Sequence, residues 1–135
     1  MFLEIKKKYR GLVNKRRTTL ELGEAYDFIE TGVKPELQDY MNGQVLNELE
    51  YCLNLYDLEP KVYIAYDRLA YFEKGNDDLR ISFDTNIRTR RSDLLLESGD
   101  HGKRLLNSDV WLMEIKTSLA KPLWLCEMLS EFEIR

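Results

Sequence analysis

The sequence has little of the chemistry on which many enzymes depend. It contains one histidine, His101, so a histidine-based zinc site or a Ser-His-Asp triad is not expected. Its two cysteines, Cys52 and Cys126, form no CxxC motif and lie in apolar stretches of helical character, which predicts two buried thiols more than a disulfide. No apolar run reaches membrane-spanning length and no signal peptide opens the chain, which favours a cytoplasmic protein.

What the chain does have is a domain-sized core and an uneven distribution of charge. Its 135 residues, 44% of them hydrophobic, are enough for a single domain over residues 1–135. The formal net charge is −4, yet residues 1–17 carry +6, which leaves −10 for the rest. The cations of this segment are Lys6, Lys7, Lys8, Arg10, Lys15, Arg16 and Arg17. A basic block on an acidic protein indicates a local anion site, with a solvated, lysine-rich edge strand as the alternative.

The spacing of apolar residues predicts an α+β fold with antiparallel strands. One hairpin is predicted around Tyr9-Arg10-Gly11, and a second joins residues 61–72 to residues 78–90. Helices are predicted after Thr18, which would form a capping box with Glu21, then along the stripe that begins at Val45, and finally from Pro122. The segment 91–109 is predicted to be mostly loop.

Charged residues recur at every second position along several of these strands, so that they share one face. Glu4 and Lys6 alternate with Leu3 and Ile5, and the Glu-Ile-Lys sequence recurs at residues 114–116. In the second hairpin the residues in phase are Arg80, Ser82 and Asp84, with Arg68 on the partner strand. An ordinary half-buried strand turns such a face to water. Like charges in a polar interior need a polyanion or interleaved carboxylates, so the pattern indicates a phosphate site with carboxylates for a metal.

Four motifs carry a resemblance to a known family. They are FLEIKKKYRGLVNKRR, PKVYIAYDRLAYF, DLRISFDTNI and LMEIK, the last followed by a Pro-Leu-Trp helix. Their order and spacing resemble the vacuolar-transporter-chaperone (VTC), or polyphosphate polymerase, domain, which is related to the triphosphate tunnel metalloenzymes and CYTH proteins. The resemblance implies a curved antiparallel sheet that forms part of a β-tunnel with flanking helices. It also implies metal-dependent phosphoryl transfer from a nucleoside triphosphate to polyphosphate, achieved by positioning and electrostatic stabilisation.

The resemblance also implies roles for individual residues. The family's phosphate-binding cations match Lys6, Lys15, Arg17, Arg68, Arg80 and Lys116, of which Lys6, Arg68 and Arg80 are implied to be catalytic. Glu114 matches the metal-binding glutamate of the late strand, with Glu4 as a second acidic group, for Mg²⁺ or Mn²⁺. The phase of Lys15 and Arg17 is open at this point, because Asn14 and Arg16 occupy the alternate face.

Some of the family's motifs have no counterpart in this sequence. An Arg-x-Arg strand before the first motif and a Ser-Lys-Tyr-type motif after the last helix are both missing, so we expect the chain to be the C-terminal portion of the domain. Sheet edges are then expected to be open, with pairing into a homodimer. We also expect the isolated chain to be inactive.

Other functions stay open on the sequence alone. A triphosphate hydrolase of the same fold and a polyanion-binding module without turnover would carry the same cations. A nucleic-acid binder would stack bases on Tyr63, Tyr66 and Tyr71. The acidity of the chain and the frequency of tyrosine in ordinary strands argue against nucleic acid.

Overall fold

The chain divides into two compact units, Met1–Pro60 (unit 1) and Lys61–Arg135 (unit 2). The computed structural model describes residues 1–118 and 120–134, and the description excludes the side chains of residues 76 and 77. Antiparallel strands and helices occur in both units, so the predicted α+β class is confirmed.

Unit 1 consists of a β-hairpin and two helices. Strands β1 (Phe2–Tyr9) and β2 (Leu12–Thr19) pair antiparallel, and helices α1 (Leu22–Thr31) and α2 (Gly43–Leu55) follow. The buried core comes mainly from the helices and comprises Leu20, Ala25, Phe28, Met41, Val45, Leu46 and Leu49. Leu3 and Ile5 of β1 pack against this core. One face of the hairpin is therefore committed to apolar packing, which leaves the other face for charged residues.

The predicted cap of α1 is wrong. Thr18 still belongs to β2, and its hydroxyl accepts a hydrogen bond from the backbone N–H of Asn42 at 2.8 Å. The N-cap is Glu21, whose backbone N–H donates to the Glu24 carboxylate at 2.9 Å in a capping box. Thr18 and Glu21 have the same spacing as Glu21 and Glu24, so spacing alone does not show which pair forms the capping box. Gly32 ends the helix in the left-handed conformation.

Unit 2 is built around one long strand. Strands β3 (Tyr63–Glu73), β5 (Lys103–Arg104) and β6 (Leu112–Lys116) each pair antiparallel with β4 (Asn76–Arg90). Helix α3 (Leu123–Glu131) follows the sheet, with Pro122 at its N-cap. The two-residue strand β5 lies in the segment predicted to be mostly loop. Because β4 pairs along both edges, it positions the side chains of the other strands relative to one another.

The predicted burial of the cysteines is wrong. Both are free thiols, but Cys52 is half-buried and Cys126 is exposed. Cys126 follows Leu125, which is the buried residue of α3. Successive residues on a helix point about 100° apart, so the neighbour of a buried residue on a one-sided helix faces outwards.

The helices are short. In residues 1–118 and 120–134, none combines the length and the apolar character that crossing a membrane requires. The longest of them, α2, has 13 residues.

Candidate functional site

Six polar residues of unit 2 share one face of its sheet, which we call the Arg80 face. In the strand register Arg80 lies opposite Lys116, Ser82 opposite Glu114, and Asp84 opposite Arg68. Directly opposed residues project to the same side of a sheet, so these three pairs form one surface. The other side is largely apolar and carries Leu69, Ile81, Phe83, Met113 and Ile115. The alternation along β4 thus separates charge from apolar packing.

Arg68 and Asp84 form an ion pair with two hydrogen bonds on the Arg80 face. The guanidinium donates from Nε to Oδ1 at 2.5 Å and from Nη2 to Oδ2 at 2.6 Å. The Asp84 side chain is only 8% exposed, and the guanidinium also lies 4.7 Å from the centroid of the Tyr66 ring. These hydrogen bonds lower the pKa of Asp84 below its ordinary value of 3.8 and raise the pKa of Arg68. Much of the charge of Arg68 is therefore neutralised within the sheet.

The other cations of the Arg80 face are more available to an external anion. Lys116 Nζ lies 3.2 Å from Glu114 Oε1, and both side chains are about half exposed. The guanidinium of Arg80 has no hydrogen-bond or ion-pair partner among the described side chains. Arg80 and Lys116 are nevertheless cross-strand neighbours of like charge. Such a pair destabilises a sheet unless an anion bridges it.

A second charged surface lies on the hairpin of unit 1, and we call it the Lys6 face. The register places Glu4 opposite Arg17 and Lys6 opposite Lys15. Glu4 bridges the two lysines, with Oε2 at 2.8 Å from Lys15 Nζ and Oε1 at 3.5 Å from Lys6 Nζ. The hydrogen bond from Lys15 is the main reason that the pKa of Glu4 is lowered. One carboxylate thus serves two lysines, and Arg17 lies on the same face.

The remaining cations of the basic block separate onto the opposite face of the hairpin. Ile5 lies opposite Arg16, and Lys7 lies opposite Asn14. Arg16 and Lys7 both pair with Glu48 of α2, Lys7 Nζ at 3.3 Å from Oε2. The register therefore places Lys15 and Arg17, rather than Asn14 and Arg16, beside Glu4 and Lys6. Part of the basic block, Lys7 and Arg16, therefore holds the hairpin against α2 through Glu48.

A β-bulge in β4 moves two arginines away from the Arg80 face. Asp67 pairs with Thr85 and Ala65 pairs with Arg88, so two residues of β4, Asn86 and Ile87, oppose one residue of β3. Asn86 has φ 50°, and its Nδ2 donates to the Asp67 carboxylate at 3.0 Å. The extra residue reverses the alternation, so side chains after the bulge project to the side opposite that expected from Arg80, Ser82 and Asp84.

The first of the redirected arginines is Arg88, which contacts the carboxylates of Asp67 and Asp100. The second is Arg90, which is 8% exposed and lies 3.5 Å from the centroid of the Tyr63 ring. Its guanidinium donates to the carbonyl oxygens of Asp93, Leu95, Gly99 and His101. Sequence reasoning missed both roles. The available signal was an asparagine within a strand, since asparagine tolerates the left-handed conformation.

The carboxylates fit a divalent cation only in part. Among the described residues no group of three or more His, Cys, Asp or Glu side chains is arranged to hold a metal. Both oxygens of Glu4 are engaged by lysines, whereas Glu114 keeps a half-exposed carboxylate with one lysine neighbour. Mg²⁺ commonly takes one or two carboxylates and completes its shell with water and phosphate oxygens. Glu114 fits that arrangement better than Glu4 does.

Comparison with known proteins identifies the family. The model of the VTC domain matches residues 1–135, the whole chain, so the protein belongs to the VTC-domain family. The resemblance seen in the four motifs is thereby confirmed. Neither the curated proteins nor the solved structures give a significant match. Membership of the family indicates a function related to polyphosphate.

Proposed function

We propose that the Arg80 face and the Lys6 face each bind phosphate chains, and that a complete VTC domain uses such binding for phosphoryl transfer from a nucleoside triphosphate to polyphosphate. One observation carries the proposal. Each face contains a directly opposed pair of cations, Arg80 with Lys116 and Lys6 with Lys15. An internal structural role favours opposite charges across strands, whereas a polyanion ligand favours like charges. On the Lys6 face Glu4 offsets only one of the two lysine charges, and Arg17 adds a third cation. The family match gives independent support for polyphosphate as the polyanion.

The residue types suit the proposed reaction. An oxygen of the acceptor phosphate chain attacks the γ-phosphorus, and the bond from that phosphorus to the β–γ bridging oxygen breaks, which releases a nucleoside diphosphate. The protein needs no covalent nucleophile for this step, because catalysis rests on positioning and on stabilisation of the phosphoryl oxygens. Arg80 offers planar paired donors and Lys116 offers a compact charge. Arg68 contributes mainly by holding β3 and β4 together through Asp84.

A divalent cation, Mg²⁺ or Mn²⁺, would neutralise the part of the phosphate charge that the lysines and arginines leave unbalanced. Glu114 is the residue proposed to hold it, together with phosphate oxygens and water. Glu4 would need to leave Lys15 in order to take part, so we assign it to the lysines.

The alternative is a polyanion-binding module that performs no transfer, or a hydrolase that transfers the phosphoryl group to water. Binding without turnover needs no metal, and among the described residues no three His, Cys, Asp or Glu side chains are grouped to hold one. An assay for polyphosphate, nucleoside diphosphate and inorganic phosphate separates the three cases. Chain growth indicates a polymerase, release of phosphate alone indicates a hydrolase, and binding with neither product indicates a binding module.

Calorimetry with inorganic tripolyphosphate tests the binding surface. Arg80→Glu should lower the affinity at least about tenfold, because it removes a charge-assisted contact and adds repulsion. The matched control is Lys121→Glu, an equal change of charge at an exposed residue outside the sheet. A loss in Arg80→Glu with little change in Lys121→Glu supports the site. Equal affinities in both variants would show that only the overall charge matters.

A further inference from the structure

The Lys6 face runs into a cleft at the end of the hairpin. Phe2 and Thr19 are the cross-strand pair that follows Glu4 and Arg17 on this face. A cleft of about 420 Å³ is lined by Phe2, by residues 17–19 of β2 and by residues 40–43, before and at the start of α2. Arg17 belongs both to the cleft and to the Lys6 face, so the two are continuous.

Two aromatic rings in this cleft are left largely uncovered. Phe2 is 59% exposed and Tyr40 is 49% exposed. The Tyr40 hydroxyl donates to the Glu24 carboxylate at 3.3 Å, and that carboxylate is itself held by the capping box of α1. Tyr40 is therefore tethered at its polar end while its ring contributes to the cleft. Met41, buried beneath, joins this part of the wall to the core of unit 1.

The charge in the cleft is not compensated locally. The guanidinium of Arg17 lies 4.5 Å from the centroid of the Phe2 ring and has no carboxylate partner among the described residues. Its cross-strand neighbour Glu4 is already engaged by Lys15 and Lys6. The cleft thus combines a cation that has no carboxylate partner, aromatic surface and Thr19, whereas the Thr18 hydroxyl is occupied by the backbone N–H of Asn42.

We infer that this cleft holds the base of the nucleoside triphosphate, with the triphosphate directed along the Lys6 face; the inference rests on the proposed function. Aromatic rings and guanidinium planes are the surfaces on which bases stack, and the polar rim suits a heterocycle with hydrogen-bonding edges. Same-face neighbours on a strand lie about 7 Å apart, so Arg17 and Lys15 present two successive cationic positions to a chain that leaves the cleft. The aromatic residues select a nucleoside triphosphate over an inorganic triphosphate.

The test compares ATP with inorganic tripolyphosphate as calorimetric ligands of the full 135-residue chain. Phe2→Ala and Tyr40→Ala should each lower ATP affinity by about tenfold, the range expected for loss of a stacking partner. Tripolyphosphate affinity should stay within about twofold, because it reflects the cations. Tyr40→Phe keeps the ring and should retain ATP affinity. The matched control is Tyr51→Ala, which removes a 65% exposed tyrosine of α2 that is not among the residues lining the cleft.

The outcomes separate the inference from the proposed function. If tripolyphosphate binds but ATP binds no more tightly, or if both aromatic variants keep wild-type ATP affinity, the base site is wrong and the phosphate site stands. If neither ligand binds the wild-type chain, both proposals fail. A parallel loss for the two ligands in Phe2→Ala would assign Phe2 to holding Arg17 in place and would overturn its role as a stacking surface.

Discussion

Arg68 and Asp84 face each other across β3 and β4 and join through two parallel hydrogen bonds of 2.5 and 2.6 Å. The carboxylate is nearly buried, and the arginine has two donors committed to it. The Arg80 face therefore contains two kinds of cation. Arg68 is part of the framework of the sheet, while Arg80 and Lys116 are available to a ligand.

This distinction predicts opposite outcomes for two arginine substitutions. Arg68→Met should lower the free energy of unfolding by roughly 1.5–3 kcal/mol, because it leaves a nearly buried carboxylate unpaired. Arg80→Met should change it by less than about 0.5 kcal/mol while weakening tripolyphosphate binding. Urea denaturation and calorimetry give the two quantities. The double variant Arg68→Met with Asp84→Leu should be more stable than Arg68→Met alone, since no unpaired charge remains.

The Arg68–Asp84 pair also predicts how stability depends on pH. The folded pKa of Asp84 is below its ordinary value of 3.8, so the unfolded chain binds a proton more readily than the folded chain. The stabilisation is fully present above pH 3.8, declines as the pH falls below that value, and is lost once the pH is below the folded pKa. Asp84→Asn should reduce the acid-dependent slope measured by urea denaturation, because it removes the group that binds the proton. An unaltered slope in Asp84→Asn would contradict the linkage.

The bulge at Asn86 predicts a ranking of substitutions. Glycine adopts positive φ without strain, whereas a β-branched residue resists it. Asn86→Val should therefore be less stable than Asn86→Gly by about 1–2 kcal/mol. Both variants lose the hydrogen bond to Asp67, so that loss does not contribute to the difference between them. Equal denaturation midpoints for the two variants would show that the left-handed conformation is not required.

The proposed metal ligand can be tested without a turnover assay. Mg²⁺ or Mn²⁺ should raise tripolyphosphate affinity in the wild-type chain. Glu114→Gln should reduce that gain by about tenfold or more, because loss of even a residue outside the coordination shell commonly lowers metal affinity by about tenfold. Glu127→Gln, an exposed glutamate of α3, serves as the control. Denaturation midpoints should match in all three proteins. A metal effect that survives in Glu114→Gln would exclude the carboxylate.

The sheet edges predict self-association. Within the described ranges β3 pairs with β4 alone, which leaves one edge with Leu69 at 50% and Tyr71 at 56% exposure. Open edges of this kind add strands from a second copy. Light scattering should give a mass above that of one chain for the wild-type protein. The mass should fall towards that of one chain in Leu69→Lys. The control is Leu55→Lys, at an exposed leucine at the end of α2, which should keep the wild-type mass. A monomeric wild-type chain would refute the prediction.

Within an unbroken stretch of one strand, the alternation of charge was sufficient to predict which residues share a face. Arg80, Ser82 and Asp84 do lie together, and Glu114 and Lys116 join them, because period-two alternation is a local property of a strand. The phase of Lys15 and Arg17 was not predictable, since it depends on the register with β1. That register is set by the two-residue turn at Arg10 and Gly11.

The charge pattern along a single strand did not indicate which side chains would pair with residues elsewhere in the fold. Arg68 fits the sequence pattern of a phosphate ligand, yet its geometry commits two donors to Asp84, sixteen residues away. Arg88 and Arg90 are in phase with Arg80 in the sequence, but the left-handed conformation of Asn86 makes their side chains project from the opposite face of the sheet. A tertiary contact engages Arg68, and the backbone conformation of Asn86 redirects Arg88 and Arg90; the spacing of charged residues records neither.

The bulge gives β4 an unusual sensitivity to insertions and deletions. Removing one residue at Asn86 would exchange the sides occupied by every later side chain in the strand, which would bring the loop-holding Arg90 to the ligand side and disconnect residues 93–101. A substitution elsewhere in β4 alters one side chain at a time. The strand therefore has two halves that can change separately: one carries the proposed phosphate-binding face and the other holds the loop, and the backbone conformation of Asn86 separates them.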